Sequence, residues 1–204
     1  MSKKENIKLI QKYVGAAQDG IIGNETLSKF ACKLNITRAM TAHFFGNLHH
    51  ESGGFTITEE NGNYSAKRLL QVFPKYFHPF NVNEYAGNPQ AIFNKTYGGR
   101  MGNTEPNDGY KFRGRGWLQV TGRYSYDRLG DFLGVDLISN PDLVATHYPL
   151  ESAIFYFTDN KIWNLVDDIS EESIWVIRRR VNGGYNGISE VSSLVKHYYN
   201  LIKQ

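Results

Sequence analysis

Two glutamates nine residues apart, Glu51 and Glu60, flank a glycine break in His50-Glu51-Ser52-Gly53-Gly54-Phe55 and Glu59-Glu60-Asn61. One carboxyl group held protonated and a second held ionised can cleave a glycosidic bond, and an inverting pair needs roughly 6.5–9.5 Å between them to admit a water. A helix end followed by a glycine turn can span that gap. Met40, Phe44, Leu48 and Glu51 fall at spacings of four, four and three, one face of a helix that Thr37 can cap. At about 100° per residue, the steps from Phe44 to Glu51 bring the carboxyl back to within roughly 20° of the phenylalanine. The stripe predicts a partly desolvated Glu51, a setting that disfavours the charged form and suits a proton donor. The competing reading has Glu51 pointing past the helix end or pairing with a lysine or arginine, because charged residues are rarely buried unpaired.

His43, His49 and His50 beside Glu51 raise a metal reading, which the spacing opposes. A zinc-protease helix needs two histidines one turn apart around the glutamate, and Ser52-Gly53-Gly54 fills the positions that follow it. His50 is better read as a hydrogen-bonding neighbour that orients the site. Cys32 is the one cysteine, which excludes cysteine-rich metal sites and an intramolecular disulfide. No metal and no organic cofactor is expected.

The elements that must position these groups are helical almost throughout. Ile7, Ile10 and Val14 mark a first helix, and Leu27, Phe30, Ala31 and Leu34 a second behind an Asn24 cap, with Gln18-Asp19-Gly20-Ile21-Ile22-Gly23 as the turn between them. The helix ending at Glu51 is third. Ser65 starts a fourth carrying Leu69, Leu70, Phe73 and Phe77, which Pro74 ends or kinks. Asn88-Pro89 reads as a cap followed by a first-turn proline. Further helices are expected over Pro149 to Phe157, Glu171 to Val181 behind Ser170, and Ser189 to Lys203.

Gly98 to Gly116 holds six glycines in nineteen residues, too long for a simple connector and so expected to be either functional or disordered. Arg113-Gly114-Arg115-Gly116 occurs once and lacks the lysine of a phosphate loop. Trp117-Leu118-Gln119-Val120-Thr121 alternates, which predicts a short strand with Gln119 and Thr121 on one face. An amide and a hydroxyl presented together can hold a water or a sugar acetamido group.

With 204 residues, 41% hydrophobic and 21% charged, the chain has the composition of a globular protein with one large domain and room for a small appendage. The opening Met1-Ser2-Lys3-Lys4-Glu5-Asn6 lacks the apolar run of a signal peptide, and no segment approaches the roughly 20 apolar residues of a membrane span. Synthesis in a cytoplasm, no stable membrane insertion and a monomer are the expectations. A net charge of +3 does not call for nucleic acid, though it favours approach to an anionic polymer such as a bacterial wall.

Six segments, in order, resemble glycoside hydrolases of family 19, the chitinase-like fold, and within them the endolysins of bacteriophages that infect Gram-negative bacteria. They are Ala42 to Phe55, Glu60 to Phe77 with Asn63-Tyr64-Ser65-Ala66, Tyr97 to Asn103, Tyr110 to Tyr126, Asn140-Pro141-Asp142-Leu143, and Arg179 to Gly187 with Val-Asn-Gly-Gly-Tyr-Asn-Gly. The resemblance implies a mainly α, lysozyme-like fold with at most a small β element. It implies Glu51 as general acid and Glu60 as general base, with Glu59 a rival for the second role. Gln119 and Thr121 match the residues that hold water and substrate, Tyr124 follows them in the cleft, and Asn182 lines the same cleft. Two positions depart from the pattern. Gly62 stands where relatives often have leucine, which is expected to loosen the segment beside Glu60, and Ser125 stands where plant chitinases often carry asparagine, which fits peptidoglycan better than chitin.

Residues 37–204 are thus expected to form the catalytic domain, with 1–36 as a helical preface that faintly resembles half of a peptidoglycan-binding repeat. The expected partner is the glycan strand of peptidoglycan, cut at β-1,4 bonds between amino sugars. Reaching the periplasmic wall from a host cytoplasm implies, through the resemblance, a holin that permeabilises the inner membrane. Three other readings remain. A lytic transglycosylase would use Glu51 alone, a chitinase would act on chitin oligomers, and a silent glycan-binding module would need neither glutamate. Dependence on Glu60 separates the hydrolase from the transglycosylase.

Overall fold

The computed structural model describes residues 2–203, so Met1 and Gln204, the outermost positions of the expected 1–36 and 37–204 segments, lie outside the described residues. These carry eleven α-helices: α1 Lys3–Val14, α2 Asn24–Leu34, α3 Arg38–Glu51, α4 Ala66–Val72, α5 Pro89–Tyr97, α6 Asp108–Lys111, α7 Arg123–Leu133, α8 Leu143–Thr146, α9 Pro149–Asp159, α10 Glu171–Asn182 and α11 Ile188–Leu201. Among the described residues there is no sheet, and the β content is two isolated antiparallel bridges, Glu59 with Arg115 and Arg115 with Val120. No described helix is long and apolar enough to cross a membrane.

Caps written into the sequence start several of these helices. Thr37 accepts the Met40 amide at 3.1 Å, Ser65 the Arg68 amide at 3.3 Å, Asn88 the Ala91 amide at 3.1 Å and Ser170 the Ser173 amide at 3.3 Å. Each satisfies a first-turn N–H that the helix itself leaves open. Two expectations shift. Gly23, rather than Asn24, is the cap of α2, and Asn24 takes the Ser28 hydroxyl from within the helix. Helix α4 stops at Val72, before Pro74, so Phe73 and Phe77 lie in the turns that follow it.

The chain divides into two compact units. The first comprises residues 2–57 and 153–203, the second Thr58–Ser152. In the first, the apolar stripe of α2 is covered by α3: Phe30 stacks on Phe44 at 5.1 Å between ring centroids and meets Phe45 edge-on at 5.0 Å. Phe44 also meets Phe157, and Phe45 meets Tyr198 of α11. Residues of the 1–36 segment therefore supply part of this unit's core. Helices α3 and α11 approach closely at Gly46, where a Cβ would lie 2.7 Å from Val195 Cγ2. A side chain there would force the two helices apart.

The second unit buries Leu69, Phe77, Val82, Ile92 and Phe93, with Tyr64, Tyr85, Tyr97 and Tyr110 packed around them. The glycine-rich stretch from Gly98 to Gly116 is not one open loop, because α6 lies inside it. Asp108 accepts the Thr104 and Glu105 amides and pairs with Arg123 at 2.8 Å, which ties the stretch to the start of α7.

Candidate active site

Glu51 ends α3 in the first unit, and its surroundings differ from those the helical stripe predicted. Phe44 and Leu48 are fully buried, yet Glu51, one turn on, is 24% exposed and meets Arg178 of α10 at 2.5 Å rather than apolar side chains. Asn182 donates its amide to the same Oε1 at 3.3 Å. The reason lies in α10. Arg178 is fully buried, and a buried guanidinium requires an anion and further acceptors. It finds Glu51, the Asn186 carbonyl at 2.8 Å and the Asn47 side chain at 3.4 Å, while its Nη2 remains buried with no hydrogen-bond partner.

The histidines beside Glu51 are each engaged elsewhere. His43 bonds the Asp168 carbonyl, His49 the Tyr198 hydroxyl at 2.6 Å, and His50 the Glu190 carboxylate at 2.8 Å. Among the described residues no group of three His, Cys, Asp or Glu side chains is placed to hold a metal ion. His50 also lies against Gly187, where a Cβ would fall 2.2 Å from its ring, so the loop after α10 is seated directly on the residue preceding Glu51.

Glu60 belongs to the second unit and is placed by a short antiparallel pairing. The Glu60 amide donates to the Gly114 carbonyl at 2.8 Å and the Gly116 amide to the Thr58 carbonyl at 2.8 Å. Alternation along this extended piece sends neighbouring side chains to opposite sides. Glu59 goes to the arginines, at 2.5 Å from Arg113 and 3.2 Å from Arg115, and Arg115 continues to Asp142 at 2.6 Å. Glu60 goes the other way, where Tyr97 donates its hydroxyl to the carboxylate at 2.9 Å and the Gly114 amide approaches at 3.4 Å. Burial pushes the Glu60 carboxyl above the usual range. The Tyr97 and Gly114 hydrogen bonds and the Arg113 charge act against that rise without cancelling it.

Gln119 reaches the same place by a route the sequence did not predict. Trp117 to Thr121 is a turn and not a strand: Gly116 and Gln119 have φ of 77° and 52°, and reciprocal Arg115 and Val120 backbone bonds close it. Left-handed backbone at two positions destroys the alternation that would have put Gln119 and Thr121 on one face. A Cβ at Gly114 would lie 2.7 Å from Gln119 Oε1 and 3.2 Å from Glu60 Oε2, so the absence of a side chain there lets the amide and the carboxylate flank one backbone position. Thr121 turns its hydroxyl to the Gln119 carbonyl at 2.9 Å. Tyr124 is 61% exposed at the start of α7, its backbone against Met101 and Gly102 and its ring under Arg128.

A cavity of about 300 Å³ opens beside Glu60, lined by Glu59, Asn61, Gly62, Pro89, Phe93, Tyr110 and Arg113. Gly62 does not loosen this wall as expected. A Cβ there would fall 2.6 Å from the Phe93 ring and 2.7 Å from Pro89 Cβ, so the missing side chain permits tight packing. Tyr97, Gly114, Arg178 and Asn47 were not picked out as site residues from sequence. Tyr97 and Arg179 head two of the motif segments, but nothing local to Tyr97 or Arg178 signals which glutamate it will meet.

Two glutamates, each part-buried and supplied with its own hydrogen-bond donors in a mainly helical chain, are the equipment of a glycoside hydrolase. The family model described as chitinase class I matches residues 21–168, and the chain belongs to glycoside hydrolase family 19. It is 36% identical over 175 residues to a glycosyl hydrolase family 19 domain-containing protein of Haemophilus influenzae, covering 83% of this chain and 82% of that one. An endochitinase of Arabidopsis thaliana is 33% identical over 101 residues, 47% of this chain and 34% of the plant protein, so the match spans about a third of that relative. A crystal structure of a chitinase C mutant superposes with a TM-score of 0.50 at 16% identity over 97% of this chain and 68% of that one, a likeness of fold.

Proposed function

We propose that the chain hydrolyses β-1,4 bonds between amino sugars of bacterial peptidoglycan, with Glu51 protonating the leaving oxygen and Glu60 activating the water. The observation that carries this reading is the contrast between the adjacent glutamates. Both border the same cavity, but Glu59 is committed to the charges of Arg113 and Arg115, whereas Glu60 pairs with no arginine among the described residues and has the neutral Tyr97 hydroxyl and Gly114 amide as its donors. A base needs a lone pair aimed at a water, and Glu60 is the member of the pair free to offer one. Gln119, across Gly114 from Glu60, is suited to hold that water or a substrate amide, with Thr121 steadying the turn, and Asn182 lines the Glu51 side. Tyr124 is assigned to substrate contact.

Peptidoglycan is preferred for its charge and for Ser125. The wall is anionic, the chain carries +3, and Ser125 departs from the plant pattern. We assign the activity to phage release, in which an endolysin made in the host cytoplasm as a monomer reaches the periplasmic wall once a holin has opened the inner membrane. In residues 1–36, the turn carrying Ile21, 67% exposed, offers an apolar contact to wall glycan. A second reading, hydrolysis of chitin oligomers, is favoured by the endochitinase relatives.

Mass analysis of digested, purified peptidoglycan tests both. A new reducing amino sugar, released first as the α anomer, is expected, and Glu51→Gln or Glu60→Gln should each lower the rate by roughly 10²–10⁴-fold. An anhydro product with Glu60→Gln still active would replace hydrolysis by transglycosylation. Turnover of chitin oligomers with intact peptidoglycan would move the substrate. Ile21→Ser should weaken retention on whole walls while leaving cleavage of short soluble glycans unchanged.

A further inference from the structure

Helix α10 carries more than the arginine and asparagine that meet Glu51. Its core face is supplied by Ile174 and Ile177, both fully buried, while Trp175 is 51% exposed. Tyr185, in the loop after the helix, is 46% exposed and packs on Trp175 with ring centroids 5.3 Å apart and planes inclined by 48°. Single exposed apolar side chains are ordinary, but two large rings paired in the open form a platform, and such patches mark interaction sites.

The position of the pair says what it serves. Trp175 and Asn182 are seven residues apart, which returns them to within roughly 20° of each other around the helix and separates them by about 10.5 Å along it. Asn182 touches the Glu51 carboxylate, so the aromatic pair continues the Glu51 site along the same face of α10 for about the length of a disaccharide. The loop that holds Tyr185 is anchored just past the tyrosine by residues that frame Glu51. Arg178, which pairs with Glu51, donates to the Asn186 carbonyl, and His50, its chain neighbour, seats Gly187. The platform is thus fixed relative to the carboxyl group before any ligand arrives, which reduces the ordering cost of binding.

We propose that Trp175 and Tyr185 form a sugar-stacking subsite that binds an apolar face of an amino-sugar ring in a β-1,4-linked chain, next to the bond presented to Glu51. The inference rests on the proposed role of Glu51. A β-linked pyranose with equatorial substituents projects axial C–H bonds from both faces, three from one and two from the other, and either set lies favourably on the electron-rich face of an indole or phenol. Two inclined rings suit consecutive sugars, whose planes are also inclined.

The test uses the full chain with the tetramer and hexamer of β-1,4-linked N-acetylglucosamine and with soluble peptidoglycan strands. Trp175→Ala and Tyr185→Ala should each raise KM on the hexamer and on the strands by roughly three- to tenfold, with a smaller effect on the tetramer, and Trp175→Phe should recover most of the loss. Binding is read separately by tryptophan fluorescence in the Glu51→Gln protein. Of the three tryptophans, Trp117 is fully buried and Trp163 packs on Phe44 and Phe157, while Trp175 is half exposed in the aromatic pair, so the hexamer should alter emission and Trp175→Phe should abolish the change. KM altered less than twofold by either alanine variant, or an unchanged fluorescence response in Trp175→Phe, would overturn the subsite. A wild-type dimer that becomes monomeric in Trp175→Ala would overturn it as well, making the pair a contact between two copies. Full activity of Glu51→Gln would instead remove the assignment of Glu51, and the fluorescence titration would still report whether Trp175 meets the sugar.

Discussion

Tyr97 donates its hydroxyl to Glu60, 2.9 Å from one carboxylate oxygen and 3.1 Å from the other, across 37 residues of chain. The same contact pushes the phenol's own proton affinity up, because burial and the neighbouring carboxylate both oppose a tyrosinate. Tyr97 therefore stays a donor, and Glu60 is the group whose ionisation it governs.

Tyr97→Phe should move the acidic limb of the kcat/KM pH profile upward. Burial raises Glu60 and the tyrosine bond lowers it, so removing the bond leaves burial less opposed. A base works only when ionised, so activity should begin to fall at a higher pH than in the wild type. A hydrogen bond to a charged group contributes about 1.5–3 kcal/mol, which places the displacement at roughly one to two pH units. An unmoved acidic limb would show that Glu60 does not control it.

Glu60→Gln and Glu59→Gln should behave as opposites. The folded-state proton affinity of Glu60 is raised, so stability is greatest below the ordinary carboxylate range and declines as pH rises through the folded value. Glutamine removes that decline and still accepts the Tyr97 hydroxyl. The variant should lose activity yet melt above the wild type at pH 7, and the difference should shrink as the pH is lowered. Glu59→Gln should keep most activity and lose about 1–3 kcal/mol of stability, because Arg115, 1% exposed at its side chain, is left with Asp142 as its remaining carboxylate. Melting curves and rates on one set of proteins decide both claims, and a silent Glu59→Gln melt would remove the structural role.

Arg178→Met should cost about 3 kcal/mol, measured as a fall in Tm of roughly 6–12 °C. The arginine is fully buried and holds Glu51 together with the loop at Asn186, so methionine fills part of the volume and restores none of the hydrogen bonds. A double variant with Glu51→Gln should lose less than the sum of the two single changes, since each removes the same contact.

Gly62→Ala should destabilise by about 1–3 kcal/mol and weaken substrate binding. The added methyl would meet the rigid Phe93 ring and Pro89 on the wall of the cavity beside Glu60, neither of which can swing aside as a long flexible side chain would. Unchanged urea unfolding would mean that α5 yields at no cost.

Much of this protein is local, and the local part is legible in the sequence. The caps at Thr37, Ser65, Asn88 and Ser170 act within three residues, so the helices they start can be read from neighbours in the chain. The end of α3 at Glu51 follows from the same short-range physics, and the order of the motif segments pointed to the family. The partners of the two glutamates are another matter. Arg178 meets Glu51 across 127 residues and Arg113 meets Glu59 across 54, distances at which only packing decides who is opposite whom. Alternation correctly separates Glu59 from Glu60, but which of them turns to the arginines depends on the pairing of Thr58–Glu60 with Gly114–Gly116. Alternation failed at Trp117 to Thr121 because positive φ at Gly116 and Gln119 turns the chain, and a pattern of side-chain types carries no record of that. Sequence alone determined which residues could do acid–base chemistry. Tertiary structure decided their surroundings, because desolvation and charge act through space and have no fixed relation to distance along the chain.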